Sequence, residues 1–147
     1  MKKQNIRELM VRGEKARKQI FSPLLSGFGL TPGQGQARIL HCLLQKDHIT
    51  QKELADSCHM EVATMSRNLD RLEGLGLLTR KNNPDRRRSF LICLTEKGLA
   101  EAREIHKVFE QFEEIACKDI SEEEAELFCR ILLKMCENLE GYSRKEM

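Results

Sequence analysis

Residues 49–98 read ITQKELADSCHMEVATMSRNLDRLEGLGLLTRKNNPDRRRSFLICLTEKG. The first half of this stretch has the spacing of two short amphipathic helices, and the second half has two apolar segments around a turn that carries three consecutive arginines. Two helices followed by a basic hairpin are the layout of a winged helix-turn-helix. The sequence therefore predicts a mainly α fold with a small β-hairpin wing.

The two helices have clear sequence signals. Thr50 followed three residues later by Glu53 is a capping box, in which the hydroxyl accepts from the Glu53 amide and the carboxylate answers the Thr50 amide. The second helix is predicted from about Glu61 to Leu75, because apolar residues recur there at steps of three and four and so share one face. These residues are Val62, Met65, Leu69 and Leu72.

The opposite face of the second helix carries small and hydrogen-bonding residues first and cations further along. Such a face suits insertion of the helix N-terminus into a major groove, where small residues allow close approach and polar groups read base edges. An ordinary surface helix with a solvated face would look the same, so the helix alone leaves both interpretations open. The residues are Ala63, Thr64, Ser66, Arg67 and Arg71, with Asn68 at the flank.

The basic hairpin favours the DNA interpretation. Gly74 and Gly76 end the helix, and the turn residues Asn82, Asn83 and Pro84 separate the two predicted strands, 77–80 and 89–94. Five cations then face one acid: Arg80, Lys81, Arg86, Arg87 and Arg88 against Asp85. Like charges stored at a hairpin tip repel one another until phosphates neutralise them, and an arginine there can enter a narrow minor groove. We therefore expect the chain to bind double-stranded DNA.

Several motifs resemble the MarR family of multiple-antibiotic-resistance regulators. They are Leu-Thr at 30–31, TQKELA at 50–55, RLEGLGLL at 71–78, the basic wing, and LTEKG at 94–98. The resemblance covers residues 30–98 by motif and the whole chain by length and helix order. It implies an obligate homodimer that binds a pseudo-palindromic operator, usually as a repressor, and often with a small-molecule or oxidative signal that releases DNA. It also implies DNA contacts at Val62, Ala63, Thr64, Ser66, Arg67 and Arg71.

Two departures from the family pattern leave alternatives open. The family's wing has Asp-x-Arg, then five residues, then Leu-Thr. Counting back from Leu94-Thr95 places Arg88 at the family's arginine and Arg86 at its aspartate. Counting forward from Asp85 places Arg87 at the family's arginine instead. His59 stands between the two helices where the family often has glycine, so that turn is expected to be tighter or differently shaped.

The chain of 147 residues suits one domain with a sizeable core. We expect a single MarR-type domain, 1–147, in which residues 31–98 form the DNA-binding unit and residues 1–30 and 99–147 form a helical dimerisation region. The terminal helices have wider apolar stripes than the wing unit can cover, and two half-sites need two copies of the chain. The first helix is predicted from Lys3 to Gly27, and the last two from Thr95 to Cys117 and from Ser121 to Gly141. The second helix is predicted to begin at Thr31, with Pro32 at its first position and Gln34 completing a capping box.

The charge of the chain is unevenly placed. The net charge is only +2, but residues 1–20 carry seven cations and two acids, whereas residues 96–147 carry eight cations and fourteen acids. The basic part is expected to approach DNA and the acidic part to stay away from it.

Other classes of protein fit the sequence less well. No apolar run reaches the length of a membrane span and no signal core is present, so we expect a cytoplasmic protein without a membrane partner. The six cysteines show no CxxC pair, and we expect free, mostly buried thiols and no cofactor. No nucleophile motif, phosphate loop or carboxylate pair indicates a Cys/His enzyme.

The resemblance implies an effector pocket near His41, Leu44 and His106. A metal- or thiol-responsive sensor on the same scaffold is the alternative, because His41, Cys42 and His106 can approach one another. The family's peroxide sensors carry a reactive cysteine in the first helix, and this chain has none before Cys42.

Overall fold

The computed structural model describes residues 3–31, 33 and 35–146, and these form six helices and one three-stranded sheet. Pro32 and Gln34, which were expected to begin the second helix, lie outside the described residues. The predicted fold class, mainly α with a small wing, is confirmed. The elements are α1 (Lys3–Gly27), α2 (Gln36–Gln45), β1 (Ile49–Thr50), α3 (Gln51–Cys58), α4 (Val62–Gly74), β2 (Leu78–Asn82), β3 (Phe90–Leu94), α5 (Glu96–Ala116) and α6 (Glu122–Glu146).

The sheet contains one strand that the sequence did not predict. All its pairings are antiparallel, and its order is β1-β3-β2, so that β1 extends the hairpin formed by β2 and β3. Ile49 of β1 pairs with Ile92 of β3. A strand of two residues has no measurable alternation, and the cap of α3 begins at its last residue, so the sequence carries no separate signal for it.

The chain divides into two compact units, Met1–Lys107 and Val108–Met147, and the boundary falls within α5. The core of the first unit is made by one face each of α2, α3 and α4 together with the sheet and the first turns of α5. In the second unit, no residue from 122 to 142 is buried. Among the described helices, none combines the length and the apolar character that crossing a bilayer requires. The most deeply buried side chains of the first unit include Ile39, Leu40, Leu43, Leu54, Met65, Leu69, Leu72, Leu78, Ile92 and Ile105.

Candidate nucleic-acid interface

Helix α3, the first helix of the helix-turn-helix, begins as predicted. The Thr50 hydroxyl oxygen accepts a hydrogen bond from the Glu53 amide at 3.2 Å. The Glu53 carboxylate accepts from the Thr50 hydroxyl at 3.1 Å, rather than from the Thr50 amide that a full capping box would use. The cap therefore fixes the start of α3 directly after β1.

The turn between α3 and α4 keeps the shape that a glycine would give. His59 has φ 51° and ψ 48°, which is the left-handed region. Its amide donates to the Asp56 carbonyl at 3.2 Å, and the Met60 amide donates to the Ala55 carbonyl at 3.0 Å. These two bonds form the usual left-handed helix ending. The expectation of an altered turn is therefore wrong, because a non-glycine residue can adopt this conformation at a cost of about 1–2 kcal/mol.

Helix α4 presents one buried and one exposed face. Met65, Leu69 and Leu72 are completely buried, as predicted, but Val62 is 62% exposed. The placement of Val62 in the buried stripe is wrong, because it is the first residue of the helix and projects beyond the core. Its exposure leaves it available as the DNA contact that the family resemblance implies.

The remaining predicted contact residues of α4 are accessible to different extents. The Arg67 guanidinium lies 3.4 Å from the Thr64 hydroxyl, and that of Arg71 lies 3.4 Å from the Gly29 carbonyl. Both contacts are long for a charged donor and are exposed, so they hold the arginines only weakly. Ala63, Arg67 and Arg71 are exposed, whereas Thr64 and Ser66 are half-buried.

Asn68, predicted at the flank of the polar face, points inward instead. It is only 4% exposed, and its carbonyl oxygen accepts from the Gln36 side-chain amide at 3.1 Å. The side-chain oxygen of Gln36 accepts from the Thr31 backbone amide at 2.9 Å. The two side chains thus join α4 to the segment before α2, and Asn68 is a structural residue.

The tip of the wing is a closed loop with exposed arginines. The Asn83 amide donates to the Ser89 carbonyl at 3.1 Å, and the Asn83 side-chain oxygen accepts from the Asp85 amide at 3.0 Å. The second bond is an Asx turn, which makes the turn tighter. Arg86, Arg87 and Arg88 are all exposed on this loop.

Arg80 does not belong to the charge of the wing tip. Its guanidinium pairs with Glu73 at 2.9 Å and with Asp70 at 3.0 Å, both on α4, and its side chain is only 20% exposed. The sequence count of five wing cations is therefore one too high, because α4 supplies two carboxylates to Arg80. The two ion pairs of Arg80 tie β2 of the wing to α4, and the sequence spacing does not reveal this contact.

A cleft of about 540 Å³ lies between the first turn of α3 and the wing. Arg86 and Arg88 line it together with Lys52, whereas Arg87 is not among its lining residues. A helix N-terminus with neighbouring cations attracts anions such as phosphate groups. Two acids, Glu53 and Asp85, also line the cleft, so its three cations leave it with a small positive charge.

Comparison with known proteins agrees with this geometry. Residues 33–90 match the sequence model of the MarR family. The chain is 32% identical over 107 residues to the uncharacterized HTH-type transcriptional regulator YwoH of Bacillus subtilis (strain 168), covering 73% of this chain and 76% of that protein. The chain belongs to the MarR family. Its fold and family are those of transcriptional regulators.

Two further relatives extend the MarR comparison. The chain is 28% identical over 106 residues to the B. subtilis regulator YdgJ, and the match covers 72% of this chain but only 65% of the length of YdgJ. The S. aureus MepR–DNA complex superimposes with a TM-score of 0.80 at 28% identity, over 90% of this chain and 96% of that one. MepR is thus a relative with the same fold whose structure contains DNA.

The residues predicted for an effector pocket of this MarR-family chain are partly brought together. Nε2 of His41 lies 3.0 Å from Nδ1 of His106, and the two rings stack with their centroids 5.2 Å apart. Leu44 is one helical turn beyond His41 on α2 and is half-buried. None of the three residues lines the wing cleft or the cavity of about 830 Å³ along α1.

The cysteines differ from expectation in two respects. All six are free, but Cys117, Cys129 and Cys136 are exposed, so the prediction of mostly buried thiols is wrong for the second unit. The Cys58 thiol donates to the Cys42 sulfur at 3.3 Å. Burial, followed by this hydrogen bond, raises the pKa of Cys58 to about 12, which makes it a poor nucleophile at neutral pH.

Proposed function

We propose that the chain is a sequence-specific, double-stranded DNA-binding repressor that acts in the cytoplasm as a homodimer and is not an enzyme. In this proposal residues 1–147 are one MarR-type domain, in which residues 31–98 bind DNA and residues 1–30 and 99–147 dimerise. One observation carries the proposal: Arg80 ties the basic wing to α4, so that the exposed face of this helix and the arginine-rich hairpin form one unit. The DNA complex of the relative MepR supports it.

The exposed face of α4 determines sequence preference in this proposal. Its first two turns enter the major groove, where Thr64 and Arg67 contact base edges. Thr64→Ala or Arg67→Ala should cost about 1–3 kcal/mol on the preferred operator and less on random duplexes. Binding is measured by fluorescence anisotropy on both DNAs. An equal loss on the two would reassign these side chains to backbone contacts. The full set of proposed α4 contacts is Val62, Ala63, Thr64, Ser66, Arg67 and Arg71.

The wing supplies affinity for any duplex, through Arg86, Arg87 and Arg88. Replacing Arg87 and Arg88 together with alanine should weaken binding to all sequences and reduce the salt slope by about one to two units. A matched double variant, Arg103→Ala with Lys107→Ala, removes the same charge from exposed positions of α5. A wing variant with the salt slope of the wild type would contradict phosphate or minor-groove contact.

The homodimer is supported by apolar side chains that neither unit covers. On α1, Leu9 is 46% and Met10 53% exposed, and on α6, Phe128 is 64% and Ile131 48% exposed. Uncovered apolar surface of this extent marks an interaction site. Ile131→Glu should shift the mass in solution from dimer towards monomer, whereas Lys134→Glu on the same helix should not. A dimer unchanged by Ile131→Glu would argue against this interface.

A small-molecule effector binds near His41, Leu44 and His106 in this proposal. The histidine pair supports the location, because its two ring nitrogens, 3.0 Å apart, place polar groups in a half-buried region. An effector releases the operator only if it binds the DNA-incompetent state more tightly. A panel of phenolic and planar aromatic compounds is titrated against the wild type and a His41→Ala, His106→Ala variant. The same affinity and the same DNA release in both would exclude this pocket.

A further inference from the structure

Three potential metal ligands from two separate segments meet at the base of the winged unit. Asp47 and His48 form the turn between α2 and β1, and Cys93 lies on β3. One ligand atom of each residue lies within 4.8 Å of the others. The meeting follows from the sheet register, because Ile49 pairs with Ile92 and the residues just outside this pair, His48 and Cys93, must then be neighbours.

The backbone holds these groups in place. One carboxylate oxygen of Asp47 accepts from the His48 amide at 2.9 Å and from the Leu94 amide at 3.0 Å, which ties the turn to β3. The second oxygen faces the His48 ring, 3.6 Å from Nδ1. His48 has φ 56°, so a non-glycine residue occupies the left-handed region here. An imidazole is thus held beside the carboxylate in a conformation that costs free energy.

We propose that Asp47, His48 and Cys93 form a binding site for a borderline-soft divalent metal ion of the Zn²⁺ or Co²⁺ type. The set offers one oxygen, one nitrogen and one sulfur ligand, a mixture that suits these ions rather than Mg²⁺ or Ca²⁺. With bonds of about 2.0–2.3 Å, ligands of a tetrahedral Zn²⁺ stand roughly 3.3–3.8 Å apart. Since the ligand atoms lie within 4.8 Å of one another, binding of the ion draws them together by up to about 1 Å, and water completes the fourth position.

The Asp47 carboxylate gives the cluster one negative charge, which a cation would offset. A divalent ion would neutralise the carboxylate and take the thiol proton's place on sulfur, releasing one proton to solvent. The site does not depend on DNA binding, because none of its ligands belongs to the proposed DNA contacts.

The test uses the full-length, reduced, chelator-treated protein with Co²⁺ and Zn²⁺ as probes. Bound Co²⁺ with a thiolate ligand gives a charge-transfer band in the near ultraviolet, and Zn²⁺ affinity follows from competition with a chromophoric chelator. We expect the wild type to bind one ion per chain and to show the band. Cys93→Ser should abolish the band, whereas Cys42→Ser should keep it.

A matched pair of variants separates loss of a ligand from loss of the fold. His48→Asn removes the imidazole but keeps a residue that tolerates left-handed backbone. His59→Asn makes the same change at the other exposed left-handed histidine of the winged unit, φ 51°, outside the cluster. We expect at least about tenfold weaker Zn²⁺ binding for His48→Asn, since even outer-shell changes cost that much, and wild-type binding for His59→Asn.

Three results would overturn the proposal. They are the absence of the band in the wild type, equal Zn²⁺ affinity in His48→Asn and wild type, and a band that survives in Cys93→Ser but disappears in Cys42→Ser. The last would place the metal at the Cys42–Cys58 thiol pair. If Cys93→Ser fails to fold, His48→Asn and Asp47→Asn decide, since asparagine at 47 keeps an oxygen for both backbone amides.

Discussion

Gly98, at the start of α5, packs against the backbone at the start of the wing. A Cβ atom added there would lie 1.8 Å from the Leu77 carbonyl oxygen and 2.8 Å from its carbon. Gly98 is buried, and the same Leu77 oxygen accepts from the Thr95 amide at 3.1 Å. Gly98→Ala must therefore push the first turn of α5 away from the segment that leads into β2.

The size of the effect follows from these contacts. Contacts of a Cβ with oxygen are rarely shorter than 3.0 Å, so the backbones must separate by more than 1 Å. Overpacking with backbone movement costs about 1–3 kcal/mol. Loss of the Thr95 amide bond adds roughly 0.5–1.5 kcal/mol. Alanine regains up to about 1 kcal/mol of helix propensity. We expect a net loss of about 2–3 kcal/mol, a large share of the stability of a domain of this size.

The assay is urea unfolding followed by circular dichroism, in which the midpoint should fall without a change in slope. Gly13→Ala is the control, because Gly13 is an exposed interior residue of α1 with nothing within 4 Å of an added Cβ. That variant should be as stable as the wild type or up to about 1 kcal/mol more stable. If Gly98→Ala behaves like Gly13→Ala, the close packing of α5 on the wing is not a constraint on the fold.

Three further outcomes follow from single side chains. Arg80→Gln should lower the affinity for duplexes of any sequence, measured by anisotropy, and reduce stability in urea unfolding by about 0.5–1 kcal/mol. Glu73→Gln leaves Arg80 with one ion pair, so both losses should be smaller. Asn68→Ala should cost about 1–3 kcal/mol of unfolding free energy, because the buried Gln36 amide loses its acceptor. Burial raises the pKa of Glu101, so the stability of the wild type should fall as pH rises through that pKa. The Glu101→Gln variant should therefore be more stable than the wild type at pH 7. This difference in stability should vanish below the ordinary glutamate pKa of about 4.3.

Local signals allowed most of the helices to be predicted. Thr95 was expected to begin α5, and its hydroxyl oxygen accepts from the Gly98 amide at 3.0 Å. Ser121 and Glu124 were expected to cap the last helix, and they exchange bonds of 3.0 and 3.1 Å. Such caps depend on residues three apart, which a sequence displays directly.

The remaining features depend on contacts between distant residues. Arg80 meets its two acids across the α4–β2 junction, and Cys93 meets Asp47 only because β1 pairs with β3. Neither pairing has a fixed spacing that a sequence reader can recognise. The left-handed turn at His59 was missed for another reason. Glycine is the usual sequence signal for that conformation, and here a histidine adopts it.

The ion pairs of Arg80 also limit how much the proposed complex can depend on salt. With Arg80 neutralised by α4, the cations proposed to meet phosphate on each winged unit are Lys52 on α3, Arg67 and Arg71 on α4, and Lys81, Arg86, Arg87 and Arg88 on the wing. If each of these seven neutralised one phosphate, the salt slope would be about −6 per chain and about −13 for a dimer. Arg67 and Arg71 are proposed to read bases as well, so the measured slope should be smaller in magnitude than this limit. A steeper slope would require cations beyond these seven, and the basic first twenty residues carry seven more.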